Sequence, residues 1–159
     1  MLRRNKAKAS VVLPAPGTEK SADPGRLDIW ATFGANQSAA GSHFIAIAFL
    51  VWVGLRVSNN IRNSDEANIV MKLAGTGFCL SVAYFCAFNM GWYEWNANGT
   101  AAALSYLAST DIAISPGAQT FVAGMNLGAD FNLKPDLMQG IFLASILVMQ
   151  MGQIWMPKK

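Results

Sequence analysis

Apolar residues are gathered in three long blocks that carry almost no charge. Residues 39–57 have Arg56 as their only charged side chain, and residues 73–93 and 137–156 have none. Each block is about as long as the roughly 20 residues that an α-helix needs to cross the hydrocarbon core of a bilayer. The pattern predicts an all-α integral membrane protein with three transmembrane helices, at about residues 38–57, 69–93 and 137–156.

Two polar segments complete the predicted organisation. Residues 1–29 form a basic N-terminal tail, which reads either as the remnant of an organelle transit peptide or as the positively charged flank of the first span. Residues 37–157 form the membrane domain. Within it, residues 100–129 are apolar but broken by Pro116, so we expect a short interfacial helix before the last span.

Composition excludes several classes of protein. The chain is 53% hydrophobic and 13% charged, about half the usual charged fraction, which fits lipid as the solvent. Two cysteines cannot build a disulfide scaffold or a zinc site of CxxC pairs. The net charge of +3 is small and scattered, so we expect no nucleic-acid partner.

The one histidine, His43, lies inside or at the edge of the first predicted span. An ionisable side chain at membrane depth is a functional hypothesis by default. His43 either bonds to a neighbouring helix or ligates the metal of a tetrapyrrole. A bis-histidine haem within this chain is impossible, so haem stays open only at a subunit boundary or with one of the eight methionines, whereas chlorophyll magnesium needs a single axial ligand.

The sequence offers few residues for proton transport or for catalysis. The uncharged stretches hold no carboxylate, whereas proton-coupled transporters need carboxylates or histidines in series across the membrane. There is no Ser–His–Asp order and no phosphate-cradling loop, so we expect no catalysis by this chain itself. The aromatic belt at the end of the second span is formed by Trp92, Tyr93 and Trp95.

Two segments resemble the family of photosystem I reaction-centre subunit XI (PsaL). The connection between the first two spans is similar to the family's L-R-[DN]-[ST]-D-x-A-N loop, in the form Ile61-Arg62-Asn63-Ser64-Asp65-Glu66-Ala67-Asn68. A later segment matches the family's last membrane helix, in the form Ser115-x-Gly117-x-x-x-Phe121-x-Ala123-Gly124-x-x-x-Gly128-Ala129.

The resemblance implies a non-catalytic core subunit of photosystem I in the thylakoid membrane, holding chlorophyll a and carotenoid. His43 stands where the family has a chlorophyll-ligating histidine. The family's carboxylate five residues earlier falls on Ser38, so a second ligand would be lost or supplied by Gln37 or a water. No other metal is implied.

The implied partners are the large photosystem I subunits, other small membrane subunits, light-harvesting antenna and membrane lipid. The competing interpretation is a pigment-free accessory subunit of a respiratory complex. Basic residues number seven on the side of the N-terminal tail and five on the other, which predicts a stromal or cytoplasmic N-terminus.

Overall fold

The structure is a computed structural model that describes residues 24–110 and 112–156. These residues form four helices and no strand. The all-α membrane fold predicted from the sequence is confirmed, because three of the helices are long and apolar enough to cross a membrane. The helices are α1 Pro24–Asn63, α2 Ile69–Ser109, α3 Pro116–Gly124 and α4 Leu137–Trp155.

α1 and α2 form an antiparallel hairpin, and α4 packs against both. α4 runs in the same direction as α1. Gln139, near the start of α4, lines a cavity with Gln37, and Ile154, near the end of α4, packs against Ile61. With 19 residues, α4 is about 28 Å long, close to the thickness of the hydrocarbon core. The stretch of the hairpin beside α4 is therefore its membrane part.

α1 and α2 are each about twice as long as a bilayer requires. They contain 40 and 41 residues, which corresponds to about 60 Å. Residues 24–36 of α1 and residues 94–109 of α2 lie side by side beyond the start of α4. We call this pair of helix segments the outer hairpin. α3 packs against α2 there, and Phe121 of α3 contacts Trp30 and Phe33 at ring distances of 5.5 Å.

The outer hairpin differs from the sequence prediction in two places. α1 begins at Pro24, inside the segment predicted as a polar tail, and residues 1–23 lie outside the described residues. α2 continues to Ser109 instead of ending near Tyr93, so residues 100–109 of the segment 100–129 predicted as interfacial belong to α2. Tertiary packing explains the continuation, because Ala101 and Leu104 are fully buried and Asn96 accepts a hydrogen bond from Asn36 at 3.0 Å.

Side-chain caps set the helix starts. α2 begins at Ile69, where the second span is predicted to start. Its N-cap is Asn68, whose side chain accepts from the backbone N–H of Met71 at 3.0 Å. α3, the short helix expected before the last span, begins at Pro116 and has Ser115 as its N-cap. α4 begins with a capping box between Asp136 and Gln139.

A polar cluster holds the three membrane helices together in the half of the bundle near the connection between α1 and α2. Gln150 of α4 is almost fully buried and lies where a side chain on Gly54 would stand, 2.6 Å from an ideal Cβ at that position. Ser58 donates a hydrogen bond to the Gly54 carbonyl at 2.8 Å and lies 3.7 Å from Cys79 Sγ. The absence of a side chain at Gly54 thus lets α4 approach α1 closely.

Candidate functional site

An open apolar groove runs along the face of the α1–α2 hairpin, and we call it the His43 groove. Its volume of about 740 Å³ falls within the roughly 300–1,000 Å³ typical of small-molecule sites. Most of its lining is aliphatic or aromatic. The residues that line it are Asn36, Ala39, His43, Ala46, Ile47, Leu50, Tyr84, Phe85, Phe88, Asn89 and Trp92.

His43 presents an accessible imidazole to this groove. The residue is exposed, and within the described part of the chain no hydrogen bond or ring contact engages its side chain. The groove residues one turn before and after it on the same face are Ala39 and Ala46, whose methyl groups leave room beside the ring. A neutral imidazole nitrogen is an effective metal ligand, so the position suits axial ligation of a planar macrocycle.

His43 lies within the membrane part of the hairpin. It follows Gln37, which is level with the start of α4, by six residues or about 9 Å along the helix axis. Water cannot reach that depth freely, so an exposed imidazole there gains from a partner supplied by another molecule.

Stacked aromatic side chains on α2 form the opposite wall of the groove. Tyr84 and Phe88 lie 6.4 Å apart between ring centroids with an interplanar angle of 30°, and Phe88 and Trp92 lie 6.3 Å apart at 18°. Their spacing of four residues places the three rings on one face of the helix. These three rings line one side of the groove with apolar surface.

Asn89 fixes the floor of the groove. It is 8% exposed, and its side-chain amide donates a hydrogen bond to the backbone carbonyl of Ala40 at 3.2 Å. Interhelical hydrogen bonds of this kind stabilise helix pairs in membranes by about 0.6 kcal/mol on average. Asn89 therefore sets how closely α2 approaches α1 just before His43.

The other two residues proposed from sequence as pigment contacts do not join His43. Gln37 is six residues away, which turns its side chain to another face of α1, and it lines a separate cavity beside α4. Ser38 is exposed and belongs to the lining of neither cavity. Neither residue lies in the His43 groove, and whether either binds pigment stays a prediction.

The aromatic wall is not among the features predicted from the sequence. The spacing of Tyr84, Phe88 and Trp92 follows an i, i+4, i+8 pattern in the sequence, but only Trp92 was assigned a place, in the interfacial aromatic belt.

The two cysteines, Cys79 and Cys86, are buried in packed clusters between the helices. Among the described residues, no group of three or more histidine, cysteine or acidic side chains is placed to hold a metal ion.

Comparison of the chain with protein-family models, with curated proteins and with solved structures finds no match in any of the three.

Proposed function

We propose that this protein is a non-catalytic, pigment-binding subunit of a membrane complex, with a chlorophyll held in the His43 groove. The observation that carries the proposal is the exposed His43 imidazole, which has no partner among the described residues and stands in an apolar groove at membrane depth. The volume, the aromatic wall and the histidine nitrogen donor fit a tetrapyrrole that needs one ligand from the protein.

Each part of the groove has a distinct task in this proposal. One ring nitrogen of His43 would hold the magnesium of the pigment. The small side chains of Ala39 and Ala46 admit the macrocycle edge, and Tyr84 and Phe88 pack against it and exclude water. When bound, the chlorophyll supplies light absorption and excitation transfer, while electron transfer belongs to partner subunits.

The complex that we propose is photosystem I, in the thylakoid membrane. Support comes from the resemblance of residues 61–68 to a loop of subunit XI of that complex. Residues 115–129, which are similar in sequence to that family's last membrane helix, instead form the nine-residue α3 and part of the loop before α4 and lend no support. Many large apolar side chains of the three spans are exposed, including Phe49, Trp52 and Val148, so lipid, carotenoid or the large photosystem subunits can cover them.

We propose that the connection at residues 64–68 faces the stroma, which is the opposite of the orientation predicted from the charge of the whole N-terminal tail. Orientation follows basic residues within about 15–20 residues of the span ends. Because α1 is so long, the basic residues at positions 3–8 lie about 30 residues before the membrane part, and the count from the whole tail no longer applies. Three nearby basic residues lie on the outer-hairpin side, Lys20, Arg26 and Lys134, against five on the other, Arg56, Arg62, Lys72, Lys158 and Lys159.

Pigment stoichiometry tests the role of His43. We expect His43→Leu, in the complex purified from its native membrane, to lose one chlorophyll per chain and to change the red absorption and circular dichroism bands. Imidazole added to His43→Gly should restore the bands. Ile45→Ala is the matched control, because Ile45 is 74% exposed and lies outside the groove lining.

Unchanged pigment content and red bands in His43→Leu would refute ligation by His43. A purified complex with a haem or flavin spectrum and no chlorophyll would refute the photosystem assignment and favour the respiratory accessory subunit.

A further inference from the structure

Among the described residues, a small open cavity beside α2 is lined by aromatic side chains alone. Its volume is about 130 Å³, close to the roughly 150 Å³ of a cavity that takes up benzene. Three of the rings belong to α2, and the fourth belongs to the loop between α3 and α4. The lining residues are Phe88, Trp92, Trp95 and Phe131, and we call this site the aromatic cage.

The four rings form a concave surface. Phe88 and Trp92 are the inner rings, which lie nearly parallel at 18° with 6.3 Å between their centroids. Phe131 is tilted by 49° against Phe88, and Trp95 is tilted by 44° against Trp92, each at 5.3 Å. Within the described part of the chain, the outer rings Phe131 and Trp95 make no ring contact with each other, which leaves room for a group between them.

The faces of these rings are not covered by a cation of the described chain. Arg56 lies over Trp52, at 5.9 Å from the ring centroid. Lys72 lies over Trp155 at 5.7 Å, also away from the cage. The face of an aromatic ring carries negative electrostatic potential, and several rings around one small space are a known arrangement for binding quaternary ammonium groups.

The charges near the cage in the sequence favour a cation over an anion. Glu94 and Asp130 each directly precede one of the outer rings, and Asp136 ends the loop that carries Phe131. The described residues of the segment 88–136 hold these three acidic side chains and one basic side chain, Lys134. This segment therefore has an excess of two negative charges, which attracts cations.

The cage opens at the bilayer surface. Asn36 donates a hydrogen bond to Asn96 at 3.0 Å, so these two residues lie at the same level. The neighbour of Asn36, Gln37, is level with the start of α4. Trp92 and Trp95 lie within about 6 Å of Asn96 along the axis of α2. An ion between these rings can therefore keep part of its hydration and does not have to enter the hydrocarbon core.

We propose that the aromatic cage binds a small quaternary ammonium ion, such as choline. The methyl groups of the ion, which share its positive charge, lie against the faces of the rings. Because Phe131 belongs to the loop and the other three rings belong to α2, the bound ion also joins the loop to α2. Trp95 and Phe131 do not line the His43 groove, so this site does not depend on the pigment proposal.

A comparison of choline with its neutral isostere tests the site. The isostere is the alcohol in which carbon replaces the nitrogen of choline, so the two molecules differ in charge and hardly in shape. The full chain, in a detergent without an ammonium headgroup, is titrated with each at constant ionic strength, and binding is followed by tryptophan fluorescence and by saturation-transfer NMR of the methyl signals. We expect the dissociation constant of choline to be at least about tenfold lower than that of the isostere.

Variants of the outer rings locate the binding. Trp95→Leu and Phe131→Leu should each weaken choline binding at least about tenfold, whereas Trp95→Phe keeps a ring and should weaken it less. Trp52→Leu is the matched control, because Trp52 is 55% exposed and lies outside the cage. Circular dichroism shows whether each variant keeps its helices. Equal binding of choline and the isostere overturns the proposal, as does unchanged choline binding in folded Trp95→Leu and Phe131→Leu.

Vesicles of defined composition distinguish the free ion from a lipid headgroup. If the soluble ion is the ligand, free choline should bind equally in vesicles of phosphatidylglycerol and of phosphatidylcholine. Loss of free choline binding in phosphatidylcholine vesicles alone would identify the choline headgroup as the occupant of the same cage. No binding of choline in either kind of vesicle overturns the proposal.

Discussion

Replacement of Gly54 by alanine tests the close approach of α4 to α1. The new methyl group would stand 2.6 Å from Gln150 Nε2 and 3.5 Å from Cys79 Sγ. Gln150 is 1% exposed, and its amide donates a long hydrogen bond of 3.5 Å to the Val51 carbonyl. The amide has to leave this position, and the surrounding packing gives it no route to solvent.

Opposing terms set the size of the effect. Alanine favours the helix over glycine by about 1 kcal/mol. Against this, a buried amide left without a partner costs about 1–3 kcal/mol, and overpacking of a tight core costs about 1–3 kcal/mol. The two costs together outweigh the gain, so we expect Gly54→Ala to lower the free energy of unfolding by about 1–5 kcal/mol.

The measurement is reversible unfolding in mixed micelles, followed by tryptophan fluorescence. Gly77→Ala is the matched control on α2, since an added Cβ there meets nothing within 4 Å, and it should be neutral or slightly stabilising. Gly54→Ala combined with Gln150→Ala should lose less stability than the sum of the single variants. Equal stability of Gly54→Ala and Gly77→Ala would refute the close contact.

Two more predictions concern the loop and the orientation of the chain. Asn68→Ala removes the N-cap of α2 and should destabilise the protein by about 1 kcal/mol, whereas Asn68→Ser should lose much less; equal effects in the same unfolding assay would contradict capping. In intact vesicles whose stromal surface faces outward, an impermeant thiol reagent should label Glu66→Cys but not Ser109→Cys. The reverse pattern would place the outer hairpin on the stromal side.

The membrane part of the fold was predictable because a helix that crosses a bilayer must be apolar and uncharged over most of its length. The segment from Leu137 to Trp155 lacks charge, so hydropathy alone predicted a span that coincides with α4. The second span was predicted to start at Ile69, where α2 begins. In the bilayer core, backbone N–H and C=O groups can form hydrogen bonds only with each other. An apolar segment of this length that crosses the bilayer therefore forms a helix.

The outer hairpin and the cavities were not predictable in the same way. Polar residues such as Asn36 and Asn96 read as the end of a span, yet their mutual hydrogen bond joins two helices that continue past the bilayer. His43 and Gln37 are close in sequence, and only the arrangement of α2 and α4 around α1 separates them into two cavities. A periodicity on one helix carries no information about which neighbour covers each face.

The unbroken length of α1 and α2 couples the outer hairpin mechanically to the bilayer. Helices tilt when the hydrocarbon thickness does not match their apolar length. The outer part of α1, residues 24–36, is about 20 Å long, so a tilt of 10° displaces its tip by roughly 3–4 Å. A change in membrane thickness that tilts the helices therefore moves the outer end of this hairpin. A protein bound at that end would be displaced without contacting the membrane itself.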